Sequence, residues 1–401
     1  EATAGDIALG AYGNTTVGID GNIAMTAGKG IAVGTDNRVL VGHDGDITLT
    51  ANDGDIALAT RTLVDIANVG KVTFTAKDAG SGLGSIVLAD SLSTESVTVS
   101  THQHGASDIE DAIVFTADNA ITLGDYANVG VVTFGNIAMT AKGGDLTSGQ
   151  HVDTTVGTSG SIALEATAGD IALGAYGNTT VGNDGNIAMT AGKGIDIGSN
   201  NHILVGNDGD ITLTANDGDI TVGASTLVDI ANIGKVTFTA IDTLPLNGGG
   251  DIVLGNNVIV TTGSHDLADK AIQFTADGSI TVGQSNFIGV DTEGNICLWA
   301  KTGDITIGQN SVITVGTTGS ICLTATAGSI TTSQPTIVSV LDGNITLTAG
   351  EGIVLAPNSI LSVGHDGDIT LTANDGDITV GDSTVVSIAN VGKVTFTATD
   401  T

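Results

Sequence analysis

The phrase GDITLTANDGDI stands at Gly45–Ile56, Gly209–Ile220 and Gly367–Ile378, and looser forms of it fill most of the chain between. A chain that repeats itself at a short period folds as an array, because each unit is too small to bury its own apolar face and must stack on its neighbours. The glycine that opens each unit marks the period: Gly21, Gly45, Gly70, then Gly135, Gly160, Gly185, Gly209, Gly234, then Gly294, Gly319, Gly343, Gly367 and Gly392. Within each run the steps are 24 or 25 residues, and Glu110 and Asp269 fill the two gaps in register, so fifteen units begin along the chain.

Inside a unit the apolar residues alternate. In 45–68, Ile47 and Leu49, Ile56 and Leu58, and Val64 and Ile66 form three apolar pairs with Thr48, Ala57 and Asp65 between them. Period two over short runs separated by Gly, Asn and Asp predicts strands and turns, with every second side chain inward. Three strands per unit predict one triangular coil. The expected fold is therefore all-β: a three-faced parallel β-solenoid of about 24–25 residues per coil and about 15–16 coils, in one elongated domain over 1–401. Right-handed winding is expected, as in most three-faced solenoids with coils of this length. At about 4.8 Å per coil, fifteen coils would make a rod on the order of 70 Å long.

A longer period lies above the first. GKVTFTA recurs at Gly70, Gly234 and Gly392, so blocks of 164 and then 158 residues are duplicated. Six-coil super-repeats result, at about 21–184, 185–342 and 343–401, the last truncated. Insertions fall at corresponding places, 77–83 and 102–110 in one block and 241–249 and 263–270 in the next. Long loops in a regular array decorate one face and often carry its contacts, and they also keep near-identical coils from slipping by a whole unit.

Eleven Lys and Arg face 44 Asp and Glu, a formal net charge of −33. Such a surface argues against nucleic acid and anionic membranes as partners and makes cations its natural companions. No run of 18 apolar residues is present, so no membrane-spanning helix is expected. No signal peptide is visible, and the opening EATAG recurs at Glu165 in mid-repeat, which reads as an excerpt or processed piece of something longer.

Four sets of residues could carry chemistry. Turn aspartates recur as Asp44 and Asp46, Asp53 and Asp55, Asp208 and Asp210, Asp217 and Asp219, Asp366 and Asp368, and Asp375 and Asp377. Asp beside Gly is ordinary turn chemistry, the carboxylate capping backbone and Gly taking positive φ. Stacked coils would also set these carboxylates about 5 Å apart in columns from which calcium could recruit oxygens, though the nonapeptide of calcium-binding β-rolls is absent. Outward Thr-x-Thr pairs, Thr48 and Thr50, Thr73 and Thr75, Thr212 and Thr214, and Thr237 and Thr239, form a possible contact face of the kind that binds ice. The same positions elsewhere hold Ala163 and Glu165 or Cys297 and Trp299, so that face is not uniform. Cys297 and Cys322 are 25 residues apart, hence at one outward position of adjacent coils. A cross-coil disulfide and a pair of unlinked thiols are both open. Finally, the insertions hold His102, His104 and Asp108, and His265, Asp266 and Asp269, which read better as solvated loop residues than as metal ligands.

Catalysis finds little support. Glycan-cleaving solenoids need acids clustered with Arg or Lys and aromatic platforms, whereas this chain has only Arg38 and Arg61, one tryptophan, and acids spread evenly along it. A general acid needs an environment of its own to tune its pKa. The chain reads as no enzyme.

GNITLTAGEGIVLAPNSILSVG (343–364) and GNIAMTAGKGIAVG (21–34) resemble the repeats of filamentous-haemagglutinin-like exoproteins, β-helical bacterial adhesins exported by two-partner secretion. The family's secretion domain is not among these residues, and the unit here is longer than the family's commonest repeat. The resemblance implies an extracellular or cell-surface shaft, folded outside the cell. The expected function is thus a structural rod, an adhesin shaft or a filament or matrix subunit, whose partner is a second copy of itself or a neighbouring or host cell surface. The alternative is a ligand-binding solenoid that takes calcium, carbohydrate or ice through its loops or Thr face.

Overall fold

We describe a computed structural model of the chain, covering residues 1–80, 82–103, 110–243, 249–265 and 270–400. The chain divides into two compact units, Glu1–Gly206 and Asn207–Thr401. Both are built the same way. Each turn of chain lays down three short strands, and the strands of successive turns pair in parallel into three separate sheets, fifteen coils in all. The described residues form no helix. The fold is the three-faced parallel β-solenoid that the triplet of apolar pairs predicts.

One coil of the first unit shows why. Its strands are Ile47–Ala51, Ile56–Leu58 and Leu63–Val69. Ile47, Leu49, Ile56, Leu58, Val64 and Ile66 are all buried, joined by Ala51 at the end of the first strand. Thr48, Ala57 and Asp65 between them face outward. The β-branched residues suit a pleated, half-buried surface, and the alternation leaves each strand only one face to bury.

Register does the rest. Ile47 pairs with Ile23 of the coil before and Val72 of the coil after, so like residues stack on like through the core. On the second face of the first unit, Ile31, Ile56, Ile86 and Ile121 follow one another in a column. Ile220, Ile252, Ile280 and Ile305 do the same in the second. These columns pass the insertions unbroken: Ile56 still pairs with Ile86 although 77–83 intervenes, and Val72 pairs with Ile113 although 102–110 intervenes. The coils bracketing the insertions differ inside. Phe74 stacks on Phe115 at 4.8 Å and Phe238 on Phe274 at 4.7 Å, each fully buried where most other coils carry Leu or Met. Rings held one coil apart in this way add stacking to their buried area.

The corners are specified as strictly as the core. Before the first strand stands the marker glycine, and its conformation explains its persistence. Gly160 has φ +142°, and a Cβ added there would lie 2.7 Å from the carbonyl carbon of Gly135 in the coil below, and closer still to its oxygen. Gly185 repeats the approach onto Gly160, with a Cβ 2.7 Å from its carbonyl carbon. The backbones meet too closely there for any side chain. At the second corner, Gly54 does not adopt the positive φ expected for it. It is glycine because a Cβ would sit 2.7 Å from the amide nitrogen of Gly30. The third corner uses left-handed residues that are not glycine, Asp36 and Arg61 among them, at φ near 57°.

Candidate functional site

The turn aspartates are placed by the corner glycines, and their carboxylates point along the stack. Asp46 Oδ1 accepts the backbone N–H of Lys71, one coil on, at 3.0 Å. Asp44 Oδ1 accepts from Val69 N–H at 3.2 Å and from the Asn68 side-chain amide at 2.8 Å. Asp53 accepts from Ala79 N–H, and Asp55 from both Gly84 and Ser85 N–H at 2.9 and 2.8 Å. In the second unit Asp208 takes Ile233 N–H, Asp210 takes Lys235 N–H, Asp217 takes Thr243 N–H and hydroxyl, and Asp219 takes Asp251 N–H. Asp366 and Asp368 take Val391 and Lys393 N–H. Asp375 and Asp377 stand at the equivalent of Asp53 and Asp55.

These bonds differ from ordinary turn capping. The carboxylate satisfies the next coil's backbone, not that of its own turn. A buried or half-buried amide left without an acceptor is costly, so the column supplies acceptors where the parallel ladder is interrupted at the corner. Charge is not required for it. Asn22 accepts Asp46 N–H at 2.7 Å, Asn136 accepts Ser161 N–H at 2.8 Å, and the Ser161 hydroxyl accepts Asn186 N–H at 3.1 Å. Asp, Asn and Ser interchange in one role.

At two corners the column acquires a histidine. His43 Nδ1 lies 3.1 Å from Asp20 and 3.2 Å from Asp44, and His365 Nδ1 lies 2.9 Å from Asp342 and 3.5 Å from Asp366. Imidazole and two carboxylates within mutual reach could hold a divalent cation. The groups also satisfy one another, with Nδ1–H given to Asp and Nε2 near the amide of Asn68 or Asn390. The backbone N–H of Asp366 and the His365 imidazole together hold the Asp342 carboxyl below the usual carboxylate range.

The Thr face is broken into three patches. Thr48 pairs with Thr73 and Thr50 with Thr75, and Thr212 with Thr237 and Thr214 with Thr239, all half-buried. Ala24 bounds the first patch on one side and Val114 on the other, and Gln273 ends the second. The third patch runs three coils, Thr346, Thr370 and Thr395 beside Thr348, Thr372 and Thr397, and none of the three is the long uniform lattice that ice requires.

Cys297 and Cys322 are in-register partners on the first face of the second unit, both half-buried and both thiols. Of the insertion residues, His102 gives its carbonyl to Thr133 N–H, and His265 donates its N–H to the Glu293 carbonyl at 2.7 Å. His104, Asp108, Asp266 and Asp269 lie outside the described residues.

The surface grooves do not gather free acids. One of ≈ 630 Å³ is lined by Asp242, Asp251, Asp277 and Lys301. There Lys301 pairs with Asp277, and Asp251 accepts Ser279 N–H. Another of ≈ 520 Å³ holds both arginines. Arg61 clamps Asp36 through two bonds of 2.6 Å and reaches Glu95 at 2.7 Å, which holds the Asp36 carboxyl below its ordinary range.

Sequence reasoning missed an aromatic ladder. Tyr126, His151 and Tyr176 occupy the left-handed corner of three successive coils, with ring centroids 4.7 and 5.0 Å apart. The 25-residue spacing of DYAN, QHVD and AYGN carries the signal.

No protein-family model matches the chain, and neither does any curated protein or solved structure. The class to which the chain belongs is defined by its fold alone: a repeat protein of the parallel β-solenoid type.

Proposed function

We propose that this chain is a non-catalytic structural rod, the shaft of a secreted bacterial surface adhesin or a subunit of an extracellular filament. One observation carries the reading. The residues that could have formed a site, the turn acids, are committed one after another to the backbone amides of the next coil. What repeats is thus the means of adding another coil. A surface of net charge −33 suits a shaft that must stay soluble and not adhere to its copies side by side. The resemblance of 21–34 and 343–364 to filamentous-haemagglutinin-like repeats supports the extracellular assignment.

A ligand-binding role is the second reading. The paired clusters of His43 with Asp20 and Asp44 and of His365 with Asp342 and Asp366 favour a divalent cation over carbohydrate or ice. Electron microscopy of native material, with light scattering on the purified chain, tests the first reading. Long filaments or shafts of uniform width are expected. Short monodisperse particles that bind a defined ligand would overturn it.

A further inference from the structure

The chain's only two cysteines and its only tryptophan fall within two adjacent strands, Asn295–Ala300 and Ile321–Ala325. Cys297 pairs in register with Cys322, and Trp299 with Thr324, so four outward side chains form a square on the first face of the second unit. The neighbouring strands carry Gln273 beside Cys297 and Thr346 beside Cys322. Other coils hold Thr, Ala, Val or Gln at this position, so the fold does not demand sulfur there.

The two thiols are not equivalent. Cys322 Sγ has, besides its in-register partner Cys297, a second polar neighbour, the Thr324 hydroxyl at 3.5 Å. A hydrogen bond from the Cys297 S–H and one from the Thr324 hydroxyl both favour a thiolate on Cys322, and Lys270 adds a positive charge nearby, which together lower that thiol against the opposing effect of burial. Cys297, as the donor in that bond and half-buried, is pushed up and keeps its proton. One sulfur is thus the better nucleophile, and its neighbour holds a proton in reserve.

We propose that this pair is a thiol–disulfide exchange site for low-molecular-weight disulfides, with Cys322 the attacking and Cys297 the resolving cysteine. The Cys322 thiolate attacks a sulfur of the small disulfide RSSR, forming the Cys322–S–S–R bond and releasing RS⁻. Cys297 then loses its proton to solvent and attacks Cys322 Sγ, closing the cross-coil disulfide and releasing the second RS⁻. Two protein thiols are oxidised and one small disulfide is reduced to two thiols. In-register parallel neighbours have Cα atoms about 4.8 Å apart, inside the range a disulfide spans. Their Cβ atoms leave the sheet side by side, so closure needs a small pinch of the two strands, and excess small thiol reopens the bridge.

The test uses the full chain and glutathione disulfide at pH 7.4, read by intact-mass and peptide mass spectrometry. Wild type is expected to close the Cys297–Cys322 bridge, with a change in Trp299 fluorescence, and to reopen it with reduced glutathione. Cys297→Ser should stop at one glutathionyl group on Cys322. Cys322→Ser should acquire glutathione on Cys297 at least about tenfold more slowly, because the thiolate carries the reaction. Alkylation of wild type should show an inflection below the ordinary thiol range, moved upward in Cys297→Ala. Thr and Gln at the flanking coils indicate that these variants fold, and circular dichroism checks it. First attack at Cys297, equal rates for the two cysteines, or no bridge in wild type would each overturn the proposal.

Discussion

Alanine in place of Gly160 is the sharpest perturbation of the stack. The added Cβ would lie 2.7 Å from the Gly135 carbonyl carbon, whereas ordinary van der Waals contact begins near 3.4 Å, and φ there is +142°. Relief requires the two coils to part locally by the better part of an ångström. The bonds that cross this junction are Gly135 N–H to Ser159 O at 3.2 Å, Ile137 N–H to Ser161 O at 2.9 Å and Ser161 N–H to Asn136 Oδ1 at 2.8 Å. Stretching two of these beyond hydrogen-bonding range forfeits about 1–3 kcal/mol, and holding alanine at that φ costs about 1–3 kcal/mol more. Gly160→Ala should therefore destabilise by roughly 2–6 kcal/mol.

Gly130→Ala is the matched control. Gly130 lies in a strand, opposite Thr155, and its added Cβ would meet the side-chain oxygens of Thr155 and Asn128 at 3.3 and 3.4 Å and the Thr155 carbonyl at an ordinary 3.9 Å. Loss of glycine's freedom in the unfolded chain should make that variant neutral or more stable by about 0.4–1 kcal/mol. Urea melts followed by circular dichroism give the two stabilities, and hydrogen exchange localises the loss to the coils on either side of Gly160. Equal behaviour of the two variants, or a loss below about 1 kcal/mol for Gly160→Ala, would refute the close-approach argument.

Three further outcomes follow from the same contacts. Phe74→Ala removes a fully buried ring stacked on Phe115 and should cost about 3–5 kcal/mol, seen as faster exchange in Val72–Ala76 and Asp111–Ala117. Asp46→Asn keeps the acceptor for Lys71 N–H and should be near neutral, whereas Asp46→Ala should lose about 1–3 kcal/mol, with melts unchanged by a calcium chelator. A calcium-dependent loss confined to Asp46→Asn would instead assign that carboxylate to an ion. In acid, Asp118 is held below the carboxylate range first by its Lys142 bond and then by the Asp78 N–H, and Asp36 by Arg61. Their folded values lie below their unfolded ones, so this stabilisation is full above about pH 4 and is lost as pH falls through the lower folded values. Asp118→Asn should flatten the stability profile in that acid window, and an unchanged profile would show that the pairing contributes nothing.

Much of the coil was legible because its signals are local and repeated. Ile47, Leu49, Ile56, Leu58, Val64 and Ile66 announce three inward faces, and a 24- or 25-residue step brings each under its counterpart. Even the insertions could be placed, since GKVTFTA and EDAIVFTA keep register across them. Phe74 and Phe115 could be seen as apolar, yet their stacking depends on which coils become neighbours once 77–83 and 102–110 are looped out.

What sequence reasoning misread was the direction in which the corners act. Asp beside Gly has a well-known meaning within one turn, and by that logic Asp53 caps its own backbone and Gly54 bends left-handed. In the stack, the nearest unpaired amides belong to the next coil, and the nearest obstacle to a Cβ is the backbone of the preceding one. The pair of a marker glycine and a following Asn, Asp or Ser is therefore a device for joining coils: the first residue lets the backbones approach, and the second accepts the amide that the approach would otherwise strand. The aromatic ladder was hidden for a related reason. Tyr126, His151 and Tyr176 stand in the unlike words DYAN, QHVD and AYGN, and only the common corner position, one coil apart each time, makes them a stack. In a solenoid the residues that touch are a period apart, so a motif confined to one unit records the scaffold, and chemistry appears where the same position is compared from coil to coil. Cys297 and Cys322 are the clearest case: each alone is one more variation in a mixed outward column, and only together do they form a site.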